Sequence, residues 1–238
     1  MNTRPDTPHT EKHPNAVAGI LKVVTTVAIF PVLTAAILIG AAGRLDWTWV
    51  WVYLGINLAN VLVVTPLTIR ANPVAVAEHD ELDKTERRDV GSVFYLLAMY
   101  MALPLVAGLD VRFGWARDLS IAWHVAGASA LAAGLGLASW VMVTNPYVWS
   151  EAPIQRGQTV CSTGAYRFVR HPAYAGLALQ ALGVPVLLGS FWAVIPGITA
   201  AACIIIATCS EDRTLQAQLP GYQDYVQRVR FRLVPGIW

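Results

Sequence analysis

Long apolar stretches recur along the chain, and each is close to the length that crosses a bilayer. They lie near residues 17–42, 47–69, 91–111, 119–144, 172–189 and 191–209. About 20 predominantly apolar residues in a helix cover the ~30 Å hydrocarbon core of a membrane. The pattern predicts an all-α, polytopic transmembrane helical bundle of about six spans. The last two stretches are short and separated by Gly189-Ser190, so we expect a tight helical hairpin, and whether it fully spans the bilayer stays open.

The composition supports this class and excludes several others. The chain of 238 residues is 55% hydrophobic and 13% charged, whereas soluble domains carry about 25% charged residues. The net charge of +2, without a basic stripe, argues against a nucleic-acid partner. Three cysteines without a CxxC pair predict no disulfide framework and no metal site. Residues 1–15 are polar and Pro-rich, which predicts a disordered N-terminal tail.

The basic residues predict an orientation. In the six-span arrangement, thirteen of the 17 lysines and arginines lie on one side of the membrane and three on the other, with Lys22 inside the first span. The larger group is Arg4, Lys12, Arg70, Lys84, Arg87, Arg88, Arg156, Arg167, Arg170, Arg213, Arg228, Arg230 and Arg232, and the smaller is Arg44, Arg112 and Arg117. The positive-inside rule places the larger group, and both termini, in the cytoplasm.

Polar and charged side chains are concentrated in two segments, 157–176 and 210–238. The final hairpin connects these segments, so we expect both to lie at the same end of the helical bundle. In the first segment, Pro172 suits the first position of a helix, which places His171 at the helix entrance. Free N–H groups at such an entrance favour an anionic ligand group. The alternative is an ordinary helix start with Arg170 as a membrane-surface anchor.

The second segment begins with adjacent carboxylates, Glu211 and Asp212, on the arginine-rich side. Adjacent carboxylates repel each other, so they suit a cationic or hydroxyl-rich ligand, or else they pair with nearby arginines. Tyr222 and Tyr225 follow at a spacing of three, on one face of an amphipathic tail helix. The tail arginines either contact lipid headgroups or clamp a substrate carboxylate.

These two segments resemble the isoprenylcysteine carboxyl methyltransferase family of integral-membrane methyltransferases, which is related to the phospholipid N-methyltransferases. The resemblance covers Asn145 to Trp238 and rests on TGAYRFVRHPAYAG, the hairpin, and EDRTLQAQLPGYQDYVQRVRFRLVPGIW. The family's Arg-His-Pro-x-Tyr-x-Gly, its paired acidic position and its Tyr-x-x-Tyr-x-x-Arg tail all have counterparts. Two glutamates are usual at the acidic position, where this chain has Glu211 and Asp212. The chain would then divide into four N-terminal spans, 16–144, and a methyltransferase-like core, 145–238.

The resemblance implies an S-adenosylmethionine-dependent enzyme with a cytoplasm-facing pocket and a small or lipophilic methyl acceptor. It implies cofactor-binding roles for His171, Pro172, Tyr174, Gly176, Glu211, Asp212, Tyr222 and Tyr225. It implies catalytic roles for Arg170, Arg228 and Arg232. A carboxylate acceptor needs only an arginine to orient it, whereas a thiol or amine acceptor needs a base, for which His171 is a candidate.

Two other functions remain open on the sequence alone. One is a membrane reductase of the steroid-reductase type, which would bind NADPH. The other is a non-catalytic membrane module that binds lipid.

Overall fold

The structure is a computed structural model that describes residues 16–73, 90–115, 119–149, 154 and 157–238. The N-terminal tail predicted over residues 1–15 lies outside the described residues. The described part is all-α, which confirms the predicted fold class. The helices are α1 (Ala16–Ala42), α2 (Thr48–Ala71), α3 (Val90–Leu97), a π-helical turn (Ala98–Ala102), α4 (Leu103–Phe113), α5 (Ile121–Thr144), α6 (Pro172–Leu188), α7 (Val194–Gln218) and α8 (Tyr222–Arg228).

The apolar stretches correspond to these helices, and the protein is an integral membrane protein. Four described segments are long and apolar enough to span a bilayer: Thr48–Ala71, Val93–Phe113, Ile121–Thr144 and Val194–Gln218. The apolar part of α1, Ala28–Ala42, and helix α6 are shorter. The 17 residues of α6 rise about 26 Å at ~1.5 Å per residue. Six spans in total therefore stay a prediction.

Helix α7 is longer than predicted. The apolar stretch ended at residue 209, but the helix continues to Gln218. The added residues include Glu, Arg, Leu, Gln and Ala, which are good helix formers, so the helix extends past its apolar segment. Glu211 and Asp212 therefore lie inside a regular helix and point in directions about 100° apart.

Helices α5 and α6 pack closely because glycines face each other. A Cβ added to Gly134 would lie 2.6 Å from the backbone oxygen of Gly176, and the reverse distance is also 2.6 Å. Small residues allow such close backbone approach between helices in membranes. This contact fixes the position of the first turns of α6, which follow His171.

The hairpin between α6 and α7 lies at the end of the bundle opposite His171, where side-chain contacts hold it in place. Gly189 adopts φ +75° and ends α6. The Ser190 hydroxyl then donates to Asp110 Oδ2 at 2.6 Å. A set of exposed aromatic side chains surrounds this end: Trp51, Phe113, Trp115, Trp123, Phe191 and Trp192. Exposed aromatic side chains are typical of a membrane–water interface. The connection from Leu188 to Val194 is short, in agreement with the predicted tight hairpin.

Candidate active site

A buried carboxylate, Asp212 on α7, is the centre of the polar site. Its side chain is 0% exposed and accepts hydrogen bonds from five side chains. The donors are Arg170 Nε and Nη2 at 3.0 Å each, His171 Nε2 at 3.1 Å, Tyr222 OH at 3.0 Å, Gln216 Nε2 at 2.9 Å and Arg232 Nε at 2.9 Å. We call these six residues the Asp212 cluster. A buried charge is tolerated when it is paired and its lone pairs are satisfied, as they are here.

Arg170 is fully engaged within this cluster. Its guanidinium forms a bidentate ion pair with Asp212, in which Nε and Nη2 each donate to one carboxylate oxygen. Its Nη1 donates to the backbone oxygens of Val229 at 3.1 Å and Arg230 at 2.9 Å. The residue is 6% exposed. All three guanidinium nitrogens therefore already have protein partners.

The tail segment, residues 229–238 after α8, lies alongside the first residues of α6. The backbone N–H of Arg170 donates to Phe231 O, and that of His171 donates to Arg232 O, both at 2.9 Å. Arg232 also reaches back to Asp212 and holds its guanidinium carbon 5.1 Å from the centre of the Trp238 ring. Main-chain pairing and side-chain contacts together hold this tail segment over the helix entrance.

The two tail tyrosines are buried parts of this packing. Tyr222 and Tyr225 are 3% and 1% exposed and pack with Leu215 and Leu219 of the chain before them. Burial, together with the negative charge of Asp212, raises the pKa of Tyr222 far above the usual range of a phenol, so the hydroxyl stays protonated and donates. Burial likewise raises the pKa of Tyr225, whose hydroxyl donates to Tyr166 O at 2.7 Å.

Glu211 differs from its neighbour Asp212 in exposure. Its side chain is 41% exposed. It accepts one hydrogen bond from Tyr174 OH at 2.5 Å, and its Oε1 lies 3.9 Å from His171 Nδ1. Of the two adjacent carboxylates, Asp212 is enclosed by donors, whereas Glu211 is partly exposed.

The remaining predicted residues lie in different surroundings. Pro172 is the first residue of α6, as predicted. Gly176 faces Gly134 of α5 at the close contact between the two helices. Arg228 is exposed and contacts only Asp224 O among the described residues, at 3.4 Å, outside the Asp212 cluster.

Gln216 belongs to the Asp212 cluster but was not predicted from the sequence. Its position four residues after Asp212, on the same helical face, was a usable signal.

One protein-family model matches part of this chain. Residues 128–217 match the family model of the isoprenylcysteine carboxyl methyltransferase (ICMT) family. The match confirms the ICMT resemblance and supports a membrane methyltransferase. It includes α6, most of α5 and α7, and both carboxylates, but it ends before the tail residues Tyr222 to Arg232. No curated protein matches the chain.

Proposed function

We propose that this protein is an S-adenosylmethionine-dependent methyltransferase that modifies a small or lipophilic acceptor at the cytoplasmic face of the membrane. The observation that carries the proposal is the half-exposed Glu211 beside the enclosed Asp212 cluster, inside the ICMT-matched segment. The excess of arginine at this end of the bundle supports a cytoplasmic site.

The accepting carboxylate of Glu211 suits a cofactor that carries a positive charge and hydroxyl groups. Glu211 has accepting capacity left after its bond from Tyr174, and it can receive an ammonium or a ribose hydroxyl. The bound cofactor supplies an electrophilic methyl group on a sulfonium. We propose that Asp212, Arg170, Tyr222 and Tyr225 position the site rather than contact the ligand, because their polar groups are already bonded within the protein.

We propose that Arg232 orients the acceptor. It meets Asp212 through Nε, and its side chain is 31% exposed. Its Nη groups can therefore face a carboxylate, for which the planar guanidinium is well suited. Alignment and exclusion of water would supply most of the rate gain, since effective molarity contributes up to ~7–11 kcal/mol.

We propose that His171 receives the proton if the acceptor is a thiol or an amine. A carboxylate only accepts, so the bond to Asp212 requires the proton on Nε2. In the neutral ring, Nδ1 then holds the lone pair, and it faces Glu211. A thiol or amine acceptor would transfer its proton to this atom, whereas a carboxylate acceptor has no proton to give.

Ligand binding tests the proposed cofactor. Calorimetry on the full chain in detergent should detect S-adenosylhomocysteine binding and no NADPH binding. Transfer of a radiolabelled methyl group into prenylcysteine analogues, thiols and membrane lipids should then identify the acceptor class. Binding of NADPH without binding of S-adenosylhomocysteine would refute the proposal in favour of a reductase.

Glu211→Gln should weaken S-adenosylhomocysteine binding roughly ten- to hundredfold, since hydrogen bonds to charged groups contribute ~1.5–3 kcal/mol. Calorimetry measures the change, and the unfolding midpoint should stay near that of the unmodified protein. Asp224→Asn on α8 is the matched control, because Asp224 is also an exposed acidic residue near this face. Equal affinity in all three proteins would remove Glu211 from the cofactor site.

A further inference from the structure

A separate cavity lies within the membrane-spanning part of the bundle. It has a volume of about 220 Å³, is partly open, and is lined by residues of α1, α2, the π-helical turn, α5 and α6. Most of its wall is apolar, with Leu131, Leu135 and Val184 among the lining residues. None of the Asp212 cluster lines it. It is therefore distinct from the proposed methyl-transfer site.

Three carboxamide side chains interrupt this apolar wall. Asn57 and Asn60 lie on one face of α2, and Gln180 lies opposite on α6. Side chains three apart on a helix share a face, so the pair on α2 is directed together. Polar side chains at bilayer depth are costly and mark functional positions in membrane proteins.

These carboxamides keep hydrogen-bonding capacity that no described residue uses. Gln180 is 7% exposed, and its amide has no hydrogen-bond partner among the residues that the structure describes. Asn57 donates to Tyr53 O at 2.8 Å, and Asn60 accepts from the Ser139 hydroxyl at 2.9 Å, which in each case occupies one amide atom. Thr68 also lines the cavity, and within the described part its buried hydroxyl has no partner.

We propose that this cavity binds a lipid-soluble molecule that carries a hydroxyl group on an apolar body. A plain hydrocarbon would fill the volume but leave the carboxamides unsatisfied, which costs ~1–3 kcal/mol for each buried group. A hydroxyl both donates and accepts, so it satisfies an amide oxygen and an amide N–H from one position. The surrounding spans mean that such a ligand arrives from the bilayer.

The volume limits the size of the occupant. An engineered apolar cavity of ~150 Å³ holds benzene, so the present cavity takes a ligand portion of roughly nine heavy atoms. Octanol has this size and the required group, and octane differs only in lacking the hydroxyl. The pair therefore separates recognition of the hydroxyl from simple filling of an apolar space.

Photolabelling of the full chain in detergent, without any methyl-transfer cofactor, tests the proposal. The probes are diazirine analogues of octanol and of octane, and peptide mass spectrometry locates the labels. The octanol probe should label cavity residues such as Tyr100 and Met142 about tenfold more than the octane probe does. Because no cofactor is present, failure here is independent of failure of the proposed methyl transfer.

Variants of the cavity wall make the test specific. Gln180→Leu keeps a similar volume and removes the amide, so the octanol preference should fall towards one while octane labelling is retained or rises. Retained octane labelling shows that this variant is folded, and Asn57→Leu provides an independent second variant. Thr199→Val is the control, because Thr199 is exposed on α7 and its hydroxyl already bonds Ile195 O.

Several results would overturn the proposal. One is equal labelling of the cavity by both probes in the unmodified protein, which would indicate a site for hydrocarbon alone. Another is labelling confined to lipid-facing residues such as Leu58 and Leu62 on α2. A third is an octanol preference that Thr199→Val lowers as much as Gln180→Leu and Asn57→Leu do. A cavity filled only by water would be recognised by the absence of both labels.

Discussion

Asp212→Ala should lower the free energy of unfolding by about 3–5 kcal/mol, because it leaves the buried Arg170 without its counter-charge. The same change removes the acceptor shared by His171, Tyr222 and Arg232. The tail segment should therefore detach from the entrance of α6. Equilibrium unfolding in mixed micelles with SDS measures the stability, and limited proteolysis after Arg230 or Arg232 reports the detachment.

The adjacent residue supplies a stringent control for this result. Glu211→Ala removes a carboxylate one position away, yet its side chain is 41% exposed and, among the described residues, accepts a hydrogen bond from Tyr174 alone. We expect a stability change below about 1 kcal/mol, as for other exposed groups. Equal destabilisation by the two changes would contradict the central structural role of Asp212.

Gly134→Ala should separate α5 from α6, because the added methyl would meet the Gly176 backbone oxygen at 2.6 Å. Overpacking of this kind costs typically 1–3 kcal/mol. Backbone atoms cannot move aside as a flexible side chain can, so the helices must shift. Since α6 begins directly after His171, S-adenosylhomocysteine affinity should fall together with stability, as measured by calorimetry and SDS unfolding.

Gly136→Ala is the matched control on the same helix. A Cβ at this position meets no atom within 4 Å. Alanine is also the better helix former, so the variant should be neutral or slightly more stable. If Gly134→Ala behaved like Gly136→Ala, the close contact between the two helices would not be needed for stability.

Much of the fold could be predicted from the sequence because membrane spans leave a strong length and hydropathy signal. The stretch near 119–144 corresponds to α5 over Ile121–Thr144, and Pro172 starts α6 as its missing N–H predicts. The end of α7 was misjudged because hydropathy marks where the apolar segment stops, while helix propensity continues the helix to Gln218.

The arrangement of the site was harder to predict for a different reason. Both carboxylates were identified, but their unequal exposure depends on how α7 is rotated against its neighbours. Thr208, Asp212 and Leu215 share one buried face of α7, at spacings of four and three. This helical spacing indicates which of the two carboxylates is buried. The backbone pairing of Arg170 and His171 with the tail has no side-chain pattern and leaves no sequence trace.

The carboxamides of the cavity were visible in the sequence but were not used. Asn57, Asn60 and Gln180 carry no charge, so they interrupt the apolar spans less visibly than ionisable residues would. Their significance depends on α2 and α6 facing one space, and that is a tertiary property. Uncharged amides within an apolar span are therefore also candidates for a polar site.

The π-helical turn at Ala98–Ala102 has an evolutionary consequence. A π turn accommodates one more residue than an α turn, so an insertion is absorbed locally and the flanking helices keep their faces. Met99 and Tyr100 of this turn form part of the cavity wall, while Leu103, Ala107 and Asp110 beyond it stay in the core. A single insertion or deletion at this turn can therefore reshape the ligand cavity among related chains while the packing of the whole span is conserved.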